Sequence, residues 1–485
     1  MNGSSQQKAI VAIDLGAQSC RVSLLRWRKG EAEMEVVHRF ANDPLPTGNG
    51  LRWDIDAISN GVVAGLHACA ARAPEGIASV AVDGWAVDYV RLDESGKSAA
   101  LPYCYRDPRT ERAETLVHGL VRPSRLYALT GIQILRINTL YQLFADALAG
   151  VDPSLPWLNV PEFISYQLSG RRVSEYTNAT HTGLIELGTQ KWCREIFAEL
   201  GLHLEVAPQI VPSGTMLGPI SAGFAALPEF RETRVIVPAC HDTASAIAAI
   251  PAMGDDWAFI SSGTWSLVGT VLETPCVSEE AQRLNFTNLG GVGGKICFLK
   301  NVNGMWLLRQ CMEEWEARGI RISLKELIAR CESMPAPETL VDVDDPELML
   351  PGNAIGKINT QLERVGQARF ASDETSAVAL ANLVFHSMAA RYAEVLDSIS
   401  RITGKKLQRL FIVGGGSQNG LLNRQTAERT GLEVIPGAVE SSTIGNFAVQ
   451  ASALEEGFKG RDGVTAEGVA RWAEILSKSR IAPAQ

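Results

Sequence analysis

Two short polar turns, each following an apolar run, carry residue types that could hold a polyphosphate. The first is DLGAQS, residues 14–19, after the run AIVAI, and the second is SSGTW, residues 261–265, after WAFI. Backbone N–H groups that point outward from such turns can bind phosphate oxygens, and Asp14 could hold Mg²⁺ through water. Either turn alone could be an ordinary surface hairpin, because Asp, Ser and Gly are common turn residues. Their matching places in the two halves of the chain favour a shared phosphate-binding role, typical of an enzyme that uses ATP.

The triplet His241-Asp242-Thr243 lies between these turns in the chain and offers an acid–base group. It follows the strand pattern RVIVPAC and precedes ASAIAA, a small-residue stretch that can begin a helix. Asp242 is therefore either a helix N-cap or a general base that takes a proton from a substrate hydroxyl during phosphoryl transfer. His241, taken alone, is more typical of a hydrogen-bonded core residue. A zinc site built on Cys240 and His241 is disfavoured, since adjacent ligands rarely close one tetrahedron.

The glycine run GGG, residues 414–416, follows the strand pattern LFIV and precedes a helical stretch, SQNGLLNRQTAERT. A dinucleotide fingerprint, G-x-G-x-x-G, would need its third glycine where Asn419 stands. Glu433 and Glu440 lie near the acidic position of that fingerprint, so spacing alone does not exclude it. We interpret the run as a close approach of the backbone to a flat adenine ring, where a side chain would clash. A purely structural turn is the alternative.

Strands and helices must position these residues, and the sequence alternates the two. Apolar runs predict strands over residues 34–41, 51–55, 79–93 with a turn at Gly84, 234–239 and 409–416. Helical patterns cover residues 56–73, 159–170 and 376–402. We expect Asp56 to cap the first helix, and one face of it to carry Ile58, Val62, Val63, Leu66 and Ala70. The second half repeats the order of hairpin, strands and helices, which predicts an α/β protein of two similar lobes.

Composition excludes several classes of protein. With 485 residues, of which 46% are hydrophobic and 20% charged, the chain is typical of a soluble globular protein with more than one domain. The net charge of −9 counts against a nucleic-acid partner. We expect no membrane partner, because no apolar run is long enough to span a bilayer and no signal peptide is evident. Nine unclustered cysteines indicate reduced thiols and a cytoplasmic location. No coiled-coil repeat is visible, which leaves a monomer or a homodimer open.

Nine motifs together resemble the FGGY carbohydrate kinases: DLGAQSCR, VDGWAVDYVRLD, YRDPRT, RINTLYQL, EYTNATHTGL, CHDTASA, SSGTWSLVG, LKNVNGMWLL and IVGGGSQNGLLN. The resemblance covers nearly the whole chain and is best to the rhamnulokinase branch. It implies a two-lobed, actin- and hexokinase-like α/β fold of the ribonuclease H-like ATPase type, with an interdomain cleft. Residues 1–250 would form the sugar-binding and phosphate-loop domain, and residues 251–485 the nucleotide-binding domain. It also implies ATP, Mg²⁺ and transfer of the γ-phosphate to the 1-hydroxyl of L-rhamnulose, giving L-rhamnulose 1-phosphate.

The resemblance also implies roles for individual residues. The loop that holds the ATP phosphates would comprise Ala17, Gln18, Ser19, Cys20 and Arg21, with Asp14 near the metal. Further ATP contacts would come from Gly263, Thr264, Arg309, Gly414, Gly415 and Asn419, the last near the adenine. Sugar contacts would come from Ala86, His241, Asp242, Thr243 and Asn301, with Asp242 as the catalytic proton acceptor. From the motif GWAVDY we expect the sugar to lie against Trp85 and a sugar hydroxyl to be held by Asp88.

Three positions depart from the pattern of the family. Cys20 and Ala86 stand where the family commonly has Gly, and the added methyl group of Ala86 could alter sugar selectivity. Arg309 stands where the branch has an ATP-contacting Gln, with Gln310 next to it. None of these changes removes a catalytic group.

Other functions stay open on the sequence. The sugar could be another ketose, such as L-fuculose, L-ribulose or D-xylulose. An actin-like ATPase would share both turns, but its ATP hydrolysis would be indifferent to sugars. A sugar-binding regulator on the same fold would bind a ketose without turnover. A dehydrogenase would show nicotinamide-dependent absorbance changes.

Overall fold

The structure is a computed structural model that describes residues 7–263, 265–371, 373–456 and 463–482. The chain divides into two units by its internal contacts. The first unit comprises Met1–Met253, Leu272–Phe298 and Ser441–Gln485, and the second comprises Gly254–Val271 and Leu299–Glu440. Each unit is therefore built from more than one stretch of the chain. The domain division between residues 250 and 251 stays a prediction.

The secondary structure alternates strands and helices along the chain. Within the described residues, the strands are β1 (Ala9–Leu15), β2 (Ser19–Arg28), β3 (Glu31–Ala41), β4 (Leu45–Thr47), β5 (Gly50–Arg52), β6 (Ile77–Gly84), β7 (Tyr89–Arg91), β8 (Trp157–Asn159), β9 (Val173–Glu175), β10 (Gln209–Val211), β11 (Met216–Pro219), β12 (Arg234–Ile236), β13 (Trp257–Ser262), β14 (Trp265–Leu272), β15 (Thr287–Gly290), β16 (Ile296–Asn303), β17 (Arg409–Val413), β18 (Glu433–Pro436) and β19 (Arg480–Ala482). The α-helices in the same residues are α1 (Ile55–Arg72), α2 (Thr110–Leu120), α3 (Pro123–Thr130), α4 (Thr139–Leu148), α5 (Val160–Ser169), α6 (Tyr176–Thr180), α7 (Arg194–Glu199), α8 (Ala222–Ala225), α9 (Asp242–Ala248), α10 (Glu279–Arg283), α11 (Met305–Ala317), α12 (Leu324–Cys331), α13 (Ala354–Arg364), α14 (Glu374–Thr403), α15 (Gly420–Thr430), α16 (Ser441–Glu456) and α17 (Ala466–Ser477). None of these helices is both long and apolar enough to cross a membrane.

The sheet of the first unit has seven strands in the order β11-β12-β6-β1-β2-β3-β19. β1 pairs antiparallel with β2, which confirms the first predicted hairpin, and parallel with β6. Every residue of β1 is buried, since the strand is central and helices α1, α5 and α16 pack on the sheet. The register pairs Asp14 with Arg21 on β2 and with Asp83 on β6. Three charged residues therefore share one side of the sheet, near the carboxyl ends of β1 and β6.

The second unit repeats this topology. Its strands run in the order β16-β14-β13-β17-β18. β13 pairs antiparallel with β14, which confirms the second predicted hairpin, and parallel with β17. The long helix α14 packs against α11, α12 and α15. A hairpin whose first strand also pairs with a parallel strand is thus common to both units, as the repeated pattern of the sequence predicts.

Most predicted elements are present, and the differences concern their ends. Helix α5 ends at Ser169 and is capped by Gly170, whose φ of 72° matches the predicted glycine stop. Helix α1 begins at Ile55, because Asp54 is its N-cap and accepts a hydrogen bond from Ala57 N at 2.9 Å; the prediction of Asp56 as the cap is wrong. Val63 is 39% exposed, so it does not share the buried face of α1. The strands predicted over residues 51–55, 234–239 and 409–416 end earlier, at Arg52, Ile236 and Val413.

The strand predicted over residues 79–93 is interrupted by a tight turn between β6 and β7. Val87 has a φ of 72°, a left-handed conformation that β-branched residues rarely adopt. Asp88 N donates a hydrogen bond to Ala86 O at 3.0 Å across this turn. Thr139 Oγ1 holds the turn from outside by donating to Val87 O at 2.7 Å. The end of β6 at Gly84 agrees with the predicted turn. The left-handed conformation of Val87 could not be predicted, because valine favours strands.

Candidate active site

Asp14 lies near the carboxyl end of β1 and is oriented by two side chains. The residue is only 2% exposed. Its Oδ2 accepts a hydrogen bond from Arg21 Nε at 3.0 Å and another from Ser442 Oγ, in the first turn of α16. The guanidinium balances the negative charge and the hydroxyl fixes the carboxylate plane. Ser442 is a contact that local sequence patterns did not assign, since it is 428 residues from Asp14.

The loop between β1 and β2 is braced by Asn42. Its Nδ2 donates to Gly16 O at 2.9 Å, and its backbone N–H donates to Gln18 O at 3.0 Å. Burial raises the pKa of the Cys20 thiol to about 12, so this group stays a neutral thiol inside the core. The other loop residues reach the surface to different degrees, with Ala17, Ser19 and Arg21 half-buried and Gln18 exposed. Gln18 is therefore the most exposed residue of this loop, and the loop's role in binding phosphates stays a prediction.

Asp242 is the first residue of α9, after the segment that follows β12. The N-cap position belongs to His241, whose side chain makes no capping hydrogen bond, so the N-cap interpretation of Asp242 is wrong. The Asp242 side chain is 35% exposed and accepts a hydrogen bond from Thr243 Oγ1 at 3.1 Å. Burial, and then the charge of Asp14, raise the pKa of Asp242 to about 7. A partly exposed carboxyl group with a pKa near neutrality is suited to accept a proton.

Asp83 is a third carboxyl group beside these two, and sequence patterns did not single it out. It pairs with Asp14 across the parallel strands and is completely buried. Neither of its oxygens has a well-formed hydrogen bond among the described residues, although the side chains of Ser245 and Asn446 lie close enough to favour its ionised form. Burial, followed by the charges of Asp14 and Asp242, raises its pKa well above the ordinary value. The one available signal was an acidic residue in the apolar run SVAVDGW.

The turn at residues 85–88 is organised around the carboxylate of Asp88. Its Oδ2 accepts hydrogen bonds from Trp53 Nε1 at 2.6 Å, Trp85 Nε1 at 3.0 Å and the backbone N–H of Tyr105 at 3.1 Å. Its Oδ1 accepts another from Gln142 Nε2 at 3.0 Å. Burial raises the pKa of Asp88 to about 6, although all four hydrogen bonds favour the ionised form. This geometry favours Asp88 as the group that positions Trp85, and its contact with a sugar stays a prediction.

Trp85 and Ala86 directly follow β6, close in the chain to Asp83. They are 5% and 8% exposed, and the Trp85 ring packs on Trp53 with centroids 4.7 Å apart. The backbone N–H of Gly84 donates to Cys240 O at 2.9 Å, which joins the end of β6 to the triplet at residues 241–243. Two of the predicted sugar-contacting segments, residues 85–88 and residues 241–243, are thereby neighbours within the first unit.

In the second unit, the three glycines at residues 414–416 have different roles. A Cβ atom at Gly414 would lie 2.8 Å from Ser262 O, and one at Gly416 would lie 1.9 Å from Ser262 Oγ. Close packing on β13 therefore requires these two glycines, as the structural alternative predicts. A Cβ atom at Gly415 would meet nothing within 4 Å. Gly415 faces open space, where a planar ligand could approach the backbone.

Asn419 caps the helix that follows the glycines. Its Oδ1 accepts a hydrogen bond from Leu422 N at 3.1 Å, at the start of α15. The residue is 4% exposed, and its Nδ2 has no hydrogen-bond partner in the described part of the chain. The cap gives Asn419 a structural role at the position where a dinucleotide fingerprint would have its third glycine. Its proximity to adenine stays a prediction.

The remaining predicted binding residues also belong to the second unit. Gly263 lies in the turn of the β13–β14 hairpin, where its N–H donates to Trp265 O at 2.9 Å. Thr264 lies outside the described residues. Arg309 is exposed on α11, beside the buried Gln310, whose Oε1 accepts a backbone hydrogen bond at 2.8 Å. Asn301 is half-buried on β16.

The oxygen atoms of Asp14 and Asp242 are of the type that Mg²⁺ prefers. Across the described residues, no group of three or more His, Cys, Asp and Glu side chains could enclose a metal ion. Mg²⁺ commonly binds proteins through one or two carboxylates and keeps waters and substrate phosphates as its other ligands. Burial, and then the charge of Asp14, raise the pKa of Asp242, and the repulsion between the two carboxylates means that a cation near both would be stabilised. The residues present therefore fit Mg²⁺ that arrives with phosphates.

Comparison with known proteins decides the family. The family described as "FGGY family of carbohydrate kinases" matches with its N-terminal domain at residues 9–249 and with its C-terminal domain at residues 258–454. This chain belongs to the FGGY family of carbohydrate kinases. It is 34% identical to the rhamnulokinase of Bacteroides thetaiotaomicron, over 96% of this chain and 93% of that protein. It is 35% identical to the rhamnulokinase of Enterococcus faecalis, over 93% of this chain and 90% of that protein.

Solved structures confirm the fold class of this FGGY kinase. The xylulose kinase of Lactobacillus acidophilus has a TM-score of 0.75 at 14% sequence identity. The match covers 97% of this chain and 96% of the xylulose kinase chain. The glycerol kinase of Plasmodium falciparum has a TM-score of 0.73 at 12% sequence identity. The match covers 97% of this chain and 92% of the glycerol kinase chain. At these identities the likeness concerns the fold alone. The predicted actin- and hexokinase-like α/β fold is confirmed, as is the membership of the carbohydrate kinases inferred from the motifs.

Proposed function

We propose that this FGGY kinase transfers the γ-phosphate of ATP to the 1-hydroxyl of L-rhamnulose, giving L-rhamnulose 1-phosphate. The observation that carries the proposal is the 34–35% identity to rhamnulokinases over more than nine-tenths of the chain. We place the enzyme in the cytoplasm as a monomer or homodimer with small-molecule partners only. The nine free cysteines support a reducing compartment.

Residues of the first unit are proposed to bind the sugar and to accept its proton. Asp242 accepts the proton of the 1-hydroxyl while that oxygen forms a bond to the γ-phosphorus. The bond from phosphorus to the β–γ bridging oxygen breaks, and its electron pair leaves with ADP. The raised pKa of Asp242, about 7, supports this role, because a base that titrates near the working pH transfers protons most effectively. Trp85, Ala86, His241 and Thr243 orient the sugar.

Residues of the second unit are proposed to bind the nucleotide. The open face of Gly415 supports binding of the adenine there, with Asn419 close by. Asn301 contributes to the sugar, while Gly263, Thr264 and Arg309 contribute to ATP. Mg²⁺, when bound, neutralises phosphate charge, and Asp14 is the residue that would hold it through water. Arg21 and Ser442 keep the carboxylate of Asp14 oriented for that task.

A coupled assay of ADP release tests the proposal directly. The purified enzyme is given ATP, Mg²⁺ and one acceptor at a time: L-rhamnulose, L-fuculose, L-ribulose, D-xylulose or glycerol. We expect kcat/KM for L-rhamnulose to exceed that for each other acceptor by at least about tenfold. A higher value for another ketose would overturn the sugar assignment. Equal ADP release with and without sugar would instead indicate an ATPase, and sugar binding without turnover would indicate a regulator.

A further inference from the structure

The side-chain rings of His181 and His241 are in contact, and the ring of His241 also lies next to Asp242. His181 follows helix α6, and its Nε2 lies 2.9 Å from Nδ1 of His241. The ring centroids are 3.9 Å apart. The second ring nitrogen of His241, Nε2, lies 3.3 Å from Asp242 Oδ1. The three side chains form a row of polar atoms that ends at the proposed base.

Both rings favour the neutral form. Burial lowers the pKa of His181 to about 3. Burial, and then the neighbouring ring of His181, lower the pKa of His241 well below its ordinary value. A neutral imidazole carries one N–H group and one bare nitrogen, so each ring can adopt either of two tautomers. The contact between the rings needs a hydrogen on only one of the two facing nitrogens.

The surroundings of His241 select one of its tautomers. Above pH 7, Asp242 is ionised. If Nδ1 of His241 then carried the hydrogen, the bare Nε2 would face the ionised Oδ1 of Asp242, and two acceptors would lie 3.3 Å apart. If Nε2 of His241 carries the hydrogen instead, its N–H group is attracted to the carboxylate of Asp242. The bare Nδ1 then accepts the hydrogen carried by Nε2 of His181. One pattern of hydrogens satisfies both contacts.

We propose that His181 is a positioning residue for phosphoryl transfer. By donating from its Nε2 to Nδ1 of His241, it keeps His241 in the tautomer that presents an N–H group toward Asp242 and the sugar. The effect on turnover rests on the proposed function, whereas the tautomer itself does not. His181 lies in the motif EYTNATHTGL, to which the sequence had assigned no chemical role.

A buried carboxylate anchors the backbone on both sides of the ring pair. Glu175 caps α6, the helix that leads to His181, by accepting a hydrogen bond from Thr177 N at 3.0 Å. The same oxygen of Glu175 accepts a hydrogen bond from Cys240 N at 2.9 Å, directly before His241. Glu175 is fully buried. The two histidines therefore sit on segments tied to one point of the first unit, which fixes the distance between their rings.

Nitrogen NMR of ¹⁵N-histidine-labelled enzyme tests the inference without substrates. The chain has seven histidines, and the signals of the pair are assigned with His181→Gln and His241→Gln. At pH 8, where Asp242 is ionised, we expect the wild-type spectrum to show the hydrogen of His241 on Nε2 and a bare Nδ1. His181→Phe keeps a ring but removes the donor, so His241 should populate both tautomers. His181→Gln retains a side-chain N–H and should restore the wild-type tautomer.

Kinetics of the same variants supply the second readout. We expect His181→Phe to lower kcat about tenfold with little change in KM for ATP, and His181→Gln to recover most of that loss. The matched control is His118→Phe, which removes a ring that contacts Tyr141 OH at 2.8 Å elsewhere in the first unit and should leave kcat unchanged.

Two results would overturn the inference: a wild-type His241 with its hydrogen on Nδ1, or His181→Phe with the wild-type tautomer and kcat. The wild-type spectrum decides the first point even if a variant fails to fold. An enzyme with the expected tautomer but no turnover of L-rhamnulose would contradict the proposed function alone.

Discussion

Asp14 and Asp83 stand side by side on the parallel strands β1 and β6 as directly paired residues. The charge of Asp14 is balanced by Arg21, whose Nη2 lies 2.8 Å from Asp14 Oδ2. The oxygens of Asp83 are buried and have no well-formed hydrogen bond among the described residues, with only the polar side chains of Ser245 and Asn446 nearby. Burial and the charge of Asp14 therefore favour the protonated form of Asp83. The two paired carboxyl groups thus differ in their surroundings, since only Asp14 has a cationic partner.

Asp83→Asn should change how stability depends on pH. The pKa of Asp83 is raised on folding, so its contribution to stability is present below the unfolded pKa and is lost as pH rises through the folded value. Asparagine cannot ionise, so the stability of the variant does not fall in this way as the pH rises. We expect the melting temperature of the variant, relative to wild type, to be about 2 °C higher at pH 8 than at pH 5. Calorimetry at both pH values measures this. The exposed Asp56→Asn is the control, and an equal difference at both pH values would contradict the account.

The activity of the enzyme should fall on the acidic side of neutrality. Asp242 must be ionised to accept a proton, and burial followed by the charge of Asp14 raises its pKa to about 7. Below that pH, kcat/KM for the sugar should fall about tenfold per pH unit. A profile of kcat/KM between pH 5 and pH 9 measures the midpoint in the free enzyme. A flat profile down to pH 5 would show that the base is another group or that Asp242 has an ordinary pKa.

Replacing Gly415 with Leu should weaken ATP binding and leave the sugar unaffected. The added side chain would occupy the open space beside the backbone, where no atom lies within 4 Å of a Cβ atom. We expect KM for ATP to rise about tenfold or more with KM for L-rhamnulose nearly constant. Gly416→Ala is the informative comparison, because its Cβ would clash with Ser262 Oγ at 1.9 Å and should destabilise the fold. Equal losses for both substrates in Gly415→Leu would point to misfolding and contradict the nucleotide assignment.

Asp88→Asn should destabilise the first unit. The carboxylate accepts four hydrogen bonds, and an amide would turn a donor toward at least one of those donors. We expect the free energy of unfolding to fall by about 2–3 kcal/mol. KM for the sugar should rise as well, because Trp85 loses its anchor. Urea unfolding and kinetics separate the two effects, and an unchanged stability with a raised KM would make Asp88 a direct sugar contact.

The fold and part of the site could be predicted from local patterns. Alternating apolar residues with Gly, Ser and Asp between them specify hairpins, so both hairpins and their repetition followed from the sequence. Asp14 and Asp242 were identifiable because each acidic residue follows an apolar run near a strand end, where α/β proteins bind ligands.

Other parts of the site depend on relationships that no local pattern contains. Ser442 bonds Asp14 across 428 residues, and His181 reaches His241 across 60 residues. The left-handed conformation of Val87 is imposed by its neighbours against the preference of valine. The charge state of Asp83 arises from burial beside Asp14, which requires the strand register.

The most direct test of the central claim is the turnover of Asp242→Asn. Its kcat is measured with saturating ATP, Mg²⁺ and L-rhamnulose, and calorimetry measures the binding of each substrate to the same preparation. The substitution removes the proton acceptor and changes the shape of the side chain little. We predict that kcat falls about 10²-fold or more while both dissociation constants stay within about twofold of wild type. Near-normal turnover of L-rhamnulose by this variant would contradict the assignment of Asp242 as the base.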